Sequence, residues 1–174
     1  MPRIAILTVS DRAAKGEYED LGGPACEDWL RRVITTEIEV TRQIVPDGRQ
    51  SVAYALMALA DDWRADLILA TGGTGPSPRD QTPEAMADVI EFAMPGFGEA
   101  MRAANGKVVA TAMLSRQGAG VRGKTLIITL PGSPNAIGTS LEAVFAAVPY
   151  CLDLIGAARI DTNPAIIKAH RPKK

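Results

Sequence analysis

Four strand-like runs, each closed by a polar or glycine-rich turn, restrict this chain's fold more than any other feature. RIAILTV (3 to 9), DLILATGG (66 to 73) and KTLIITL (124 to 130) are almost unbroken in apolar and branched residues. Such runs fit strands covered on both faces, because a sheet with one wet face alternates apolar and polar side chains. IEVTRQIV (38 to 45) reads as a further strand, stopped by Pro46, Asp47 and Gly48. Helical spacing fills the intervals. PACEDWLRRVI repeats apolar residues at Ala25, Trp29, Leu30 and Val33, and RQSVAYALMALADDW at Val52, Leu56, Leu59 and Trp63. TPEAMADVIEFAM has the signs of a helix start, with Thr82 to cap, Pro83 at the first position and Glu84 near the positive end, and the expected stop is Met94-Pro95-Gly96.

A short helix is expected in GFGEAMRAAN, two short edge strands around Gly118 to Gly120, and one long apolar helix from AIGTSLEAVFAAV through Pro149 into YCLDLIG. Alternating strands and helices with fully apolar strands imply an α/β fold with a parallel or mostly parallel sheet covered on both faces. The 174 residues, 47% hydrophobic and 22% charged, suit one domain spanning 1–174 and leave little for a second. The tail from His170 to Lys174 is expected to be disordered.

Composition excludes several function classes. A net charge of -1 offers no basic excess for a nucleic-acid partner. No apolar run approaches the roughly 20 residues of a membrane span, and the start reaches Asp11 without a basic leader, so a soluble cytoplasmic protein is expected. Cys26 and Cys151 lie in apolar surroundings without metal spacing, which fits reduced buried thiols. The single histidine, His170, lies in the tail, so neither Ser10 nor Ser115 has a base to make it a nucleophile.

The polar residues gather after the strands: Ser10-Asp11, Asp47-Gly48, Gly72 to Asp80, and Gly132 to Asn135. In open α/β sheets, ligands bind beyond the carboxyl ends of the strands, so these four loops share one rim. In TGGTGPSPRD (71 to 80), Gly72, Gly73 and Gly75 allow backbone N–H groups to approach a phosphate, beside a helix start near Thr82. The loop is not a Walker A, lacking the Lys-Ser or Lys-Thr, and not GxGxxG, because Pro78 takes the last place. A turn stiffened by Pro76 and Pro78 explains the same residues without a ligand. Asp47 and Asp80 are candidates to hold Mg2+ beside that cradle, although Asp47 also suits a turn before Gly48, and Asp80 a loop cap or a partner for Arg79. Arg116, Arg122 and Lys124 are candidates to face an anionic substrate.

Taken in order, TVSD, PDG, TGGTGPSPRDQTPEA, MPGFGEAMR, LSRQ and LPGSPNAI resemble the molybdopterin adenylyltransferases of molybdenum-cofactor biosynthesis, the MogA/MoaB family, over nearly the whole chain; LSRQ and FAAVPYC favour the MogA branch. The resemblance implies a three-layer α/β/α sandwich whose mostly parallel central sheet has about five strands, one antiparallel, assembled as a homotrimer. It implies transfer of AMP from ATP to the terminal phosphate of molybdopterin, with release of pyrophosphate, a requirement for Mg2+, and hand-off of the product to a molybdate-inserting enzyme. Carried over, the functional positions are Ser10, Asp47, Asp80, Ser115 and Asn135, with Gly72, Gly73, Thr74 and Gly75 at the phosphates and Gly132 and Ser133 among the binding positions. Asp47 is the implied metal ligand, and Asp80 the residue that positions the pterin. Gln81 and Ser133 depart from the residues common in the family. A non-catalytic molybdopterin-binding module is the alternative, argued against by the presence of both Asp47 and Asp80.

Overall fold

The computed structural model describes residues 1–172. Six strands form one sheet: β1 (Arg3–Val9), β2 (Glu39–Val45), β3 (Leu67–Thr71), β4 (Phe92–Ala93), β5 (Ala119–Arg122) and β6 (Thr125–Leu130), in the order β2-β1-β3-β6-β5-β4. β1 pairs in parallel with β2 and β3, and β3 with β6. β5 is antiparallel to both β6 and β4, so it alone runs against the rest. The expected mostly parallel sheet with one reversed strand is therefore present, with six strands where about five were expected.

The helices are α1 (Asp11–Ala14), α2 (Gly22–Val33), α3 (Arg49–Met57), α4 (Thr82–Val89), α5 (Pro95–Gly106), α6 (Pro134–Val144) and α7 (Val148–Ile155). Alternation along the buried strands divides the core in two. Ile4, Ile6, Leu67, Leu69, Leu126 and Ile128 face a layer containing Trp29, Leu30, Met101, Leu141, Phe145 and Leu152. Ala5, Leu7, Ile68, Ala70 and Ile127 face Val52, Leu56, Ala85 and Val89. Every strand residue in both sets is fully buried, which is why these runs carry almost no polar side chains.

Three local expectations need correction. The helix beginning at Thr82 ends at Val89 rather than at Met94, and Phe92–Ala93 becomes the edge strand β4. Ile90 turns extended at ψ 150. The Glu91 N–H donates to Val121 O (2.7 Å) and the Met94 N–H to Ala119 O (2.8 Å). Gly120 makes room: a Cβ there would lie 2.6 Å from Ile90 Cδ1. The two edge strands expected around Gly118 to Gly120 are instead the single strand β5, preceded by a 3-10 turn over Ala110–Leu114. The long apolar helix is two helices, α6 and α7, bent by 65°. The bend seats Phe145 in the core, its ring edge-on to Trp29 at 4.7 Å, and Pro149 suits the first turn of α7 because its missing N–H has no helical acceptor there.

Among the described residues, no single helix is long and apolar enough to cross a membrane. The expectation of a disordered tail fails at its first residues. The His170 N–H donates to Ala146 O (2.9 Å), and the Arg171 guanidinium bonds Asp153 (2.5 Å) and Asp161 (3.2 Å). Residues 173 and 174 lie outside the described residues.

Candidate active site

The carboxyl ends of β1, β2, β3 and β6 stand level: Val9 is in register with Val45, Thr8 with Thr71, and Thr71 with Leu130. The loops that follow therefore meet at one rim. Strand order reverses around β1, with β2 on one side and β3 on the other, and two adjoining depressions open there. The larger, ≈ 270 Å³, is lined by residues that include Thr8, Ser10, Arg12, Tyr18, Asp20, Gly22, Gly72, Gly132 and Pro134. The smaller, ≈ 160 Å³, is lined by Val9, Ser10, Asp11, Arg12, Asp47, Gly73, Arg79 and Asp80.

Asp47 and Asp80, 33 positions apart, thus share one small polar depression with Ser10 and Gly73. Asp47 is held by a reciprocal pair: its Oδ2 accepts from the Asp11 N–H (2.9 Å), and Asp11 Oδ1 accepts from the Asp47 N–H (3.0 Å). Its other oxygen, Oδ1, faces Gly73, where an added Cβ would stand 3.4 Å away. Asp80 Oδ2 accepts from the Ser77 N–H (3.2 Å), while the Asp80 N–H donates to Ser77 O (2.9 Å). Asp80 therefore caps its own loop as well as lining the depression. Ser10 caps α1, its Oγ accepting from the Ala13 N–H (3.2 Å).

The glycines serve the chain crossing first. Gly72 and Gly73 have φ of 101 and 64, in the left-handed region. A Cβ on Gly72 would stand 2.3 Å from Val9 O, and one on Gly73 2.4 Å from Thr82 Oγ1. The Gly72 N–H donates to Leu130 O (3.1 Å) and is not aimed at a ligand as the sequence suggested. Thr82 joins the loop to α4 by donating its hydroxyl to Gly72 O (2.8 Å).

The remaining candidates are dispersed around this centre. Thr74 and Ser115 form a hydroxyl pair (3.3 Å). Gly75 contributes its carbonyl to Arg116 (3.1 Å). Gly132 lines the larger cleft, while Ser133 and Asn135 are exposed at the start of α6, where Ser133 makes no side-chain cap bond. Arg116 and Arg122 line neither depression and are paired within the protein, Arg116 with Glu84 and Arg122 with Asp61 (2.6 Å). Their hydrogen bonds hold the Glu84 and Asp61 carboxyls below the usual carboxylate range. The cations lining the site are Arg12, stacked on the Tyr18 ring at 5.0 Å, and Arg79. Sequence reasoning passed over Arg12 and Asp20. Asp20, which accepts from Thr8 Oγ1 (3.0 Å) and the Gly23 N–H (3.0 Å), belongs to no motif. Arg12, directly after TVSD at the end of a buried strand, had a positional signal.

Among the described residues, no three His, Cys, Asp or Glu side chains cluster closely enough to hold a metal by themselves. The free oxygen of Asp47 beside Asp80 fits the cation that least needs such a cluster. Mg2+ commonly takes one or two protein carboxylates and fills its remaining positions with water and substrate phosphate. Cys26 is fully buried in the core, and that burial, with Asp20 nearby, pushes its thiol up to about 12.

Residues 5–150 match the family described as "Probable molybdopterin binding domain". A relative from Helicobacter pylori (strain J99), named molybdopterin adenylyltransferase, is 48% identical over 98% of this chain and 97% of its own length. One of the same name from Escherichia coli (strain K12) is 42% identical over 98% of this chain and 94% of its own. The solved structure of the molybdopterin biosynthesis Mog protein from Mycobacterium ulcerans superposes with a TM-score of 0.82 at 39% identity, covering 89% of this chain and 99% of that one.

Proposed function

The chain belongs to the molybdopterin-binding family of cofactor-biosynthesis proteins, and from that premise we infer that it is a molybdopterin adenylyltransferase, which transfers AMP to molybdopterin. The observation that carries this reading is identity of 48% and 42% to named molybdopterin adenylyltransferases along nearly the full length of both chains. The site agrees with the chemistry. In such a transfer the terminal phosphate of molybdopterin attacks the α-phosphate of ATP, a bond to that phosphorus forms as the bond to pyrophosphate breaks, and pyrophosphate departs. The nucleophile is already anionic, so no serine, cysteine or histidine needs activation, and the protein's task is to align two polyanions and offset their repulsion.

The residue roles are part of the proposal. Asp47, with Oδ2 fixed by the Asp11 amide, presents Oδ1 as the ligand for Mg2+. Bound there, the ion supplies positive charge at the transferring phosphate. Arg12 and Arg79 add cationic charge along the same depression. Asp80 orients the pterin through its carboxylate, and Ser10 and the loop Gly73–Gly75 receive phosphate oxygens, with Gly132, Ser133, Asn135 and Ser115 at the margins.

We extend the reading to a cytoplasmic homotrimer that passes its product to a molybdate-inserting enzyme. Support for assembly is the exposure of Val108 and Met113, each 77% exposed, in a segment rich in apolar residues. The enzymatic test is pyrophosphate release from purified protein given molybdopterin, ATP and Mg2+. Release that requires all three is expected. Tight molybdopterin binding without release would instead establish a binding module.

A further inference from the structure

The loop carrying Asp80 is closed by one side chain from a distant segment. Arg116 donates through Nε and Nη2 to Gly75 O (3.1 Å each) and through Nη2 to Asp80 O (2.6 Å), while Nη1 pairs with Glu84 in the first turn of α4. Its own N–H donates to Thr74 O (2.7 Å). Both ends of the segment Gly75 to Asp80 and the helix beyond it are thereby gripped at once. Within the segment, Pro76 and Pro78 have no N–H to donate, and its internal bonds are the two between Ser77 and Asp80. A planar guanidinium can span two carbonyls and a carboxylate, whereas a lysine ammonium has no such fork. Arg116 lines neither depression.

We propose that Arg116 is a positioning residue for adenylyl transfer, which holds the Asp80 carboxylate in the depression it shares with Asp47 and touches no substrate itself. The proposal rests on the reading of Asp80 as a site residue given above. Without the clamp, Asp80 still caps Ser77, but the segment carrying both is free to shift against Asp47. A displacement near 1 Å in such a site costs about 10²-fold in rate.

The test uses the full chain and compares wild type, Arg116→Ala and Arg116→Lys for pyrophosphate release, melting temperature and hydrogen exchange at the Ser77 amide. Arg116→Ala is expected to melt near the wild type, to lose about 10²-fold in kcat with the KM for ATP little changed, to exchange the Ser77 amide faster, and to regain part of its kcat when guanidinium ion is added. Unchanged kcat together with an unchanged KM for molybdopterin, in a preparation where Asp80→Asn is impaired, would overturn the proposal, as would a loss that follows melting temperature and resists guanidinium. If Arg116→Ala does not fold, Arg116→Lys decides: lowered kcat with faster Ser77 exchange supports the clamp, and wild-type values for both overturn it. A wild type that releases no pyrophosphate counts against the proposed function, and Ser77 exchange then still shows whether Arg116 orders the loop.

Discussion

Asp47 and Asp80 follow the two parallel strands that flank β1 and line the same depression, yet they are held in unlike ways. Asp47 lies two residues beyond the end of β2 and exchanges two hydrogen bonds with Asp11, which lies two residues beyond the end of β1. Because β1 and β2 are paired from Arg3↔Glu39 to Val9↔Val45, the sheet itself delivers the two residues to each other. Asp80 sits nine residues beyond the end of β3, on a loop whose shape depends on Gly72, Gly73, Thr82 and an arginine 36 positions further along the chain. One carboxylate inherits its position from strand pairing. The other needs a scaffold of its own, so it is the more exposed to changes remote from the chemistry.

The harshest way to break the second arrangement is Gly73→Val. A β-branched residue at φ 64, with its Cβ 2.4 Å from Thr82 Oγ1, meets both backbone strain and overpacking. Strain of about 1–2 kcal/mol in the left-handed region and about 1–3 kcal/mol for the clash add to a large part of the roughly 5–15 kcal/mol that stabilises a domain. Loss of the folding transition, or a much lower melting temperature, is expected. A variant that melts like the wild type would show that the loop relaxes freely.

Asp47→Asn probes the first arrangement without disturbing it, because the amide oxygen can still accept from the Asp11 N–H. Folding and molybdopterin binding should persist while AMP transfer falls roughly 10²- to 10³-fold, the usual scale for removing one fixed electrostatic group. Substantial turnover at saturating ATP and Mg2+ would exclude Asp47 as the metal ligand.

Asp80→Asn separates the two carboxylates by ligand. If Asp80 accepts hydrogen bonds from the pterin, the amide leaves a mispaired donor at about 1–3 kcal/mol, which weakens pterin binding about 5- to 150-fold and leaves ATP binding unchanged. Titration of one folded preparation with each ligand gives the answer. Weaker ATP binding with intact pterin binding would transfer Asp80 to the nucleotide half.

The smallest expected effect is on acid stability. The Arg116 hydrogen bond lowers the Glu84 carboxyl below its ordinary value near pH 4.5, and Arg122 does the same to Asp61 below about pH 3.8. A depressed carboxyl stabilises the fold above its unfolded value and loses that contribution as pH falls through the folded one. Melting temperature should therefore hold steady down to about pH 4.5 and then decline. Arg116→Ala should make that decline shallower, by a small amount because both partners of the pair are partly exposed. A slope identical in the two proteins would mean that the ion pair adds nothing to stability.

The pattern of four strand runs, three of them buried, and the polar turns after them were enough to predict the α/β class, the rim and the sharing of that rim by Asp47, Ser10 and the glycine loop. Those features depend on local periodicity and on chirality, since every parallel crossover brings a strand's carboxyl end to the same side. Tertiary structure alone decided the rest. Phe92–Ala93 became a strand because Val121 and Ala119, almost thirty residues away, supply its partners and Gly120 makes room for Ile90. Arg171 was anchored by Asp153 and Asp161, and the apolar helix broke at Phe145 to seat its ring against Trp29. Arg116, read from sequence as a candidate to face an anionic substrate, was committed to the protein's own carbonyls instead. A charged or edge residue takes its role from its partners, and those partners lie too far along the chain for any local pattern to identify them.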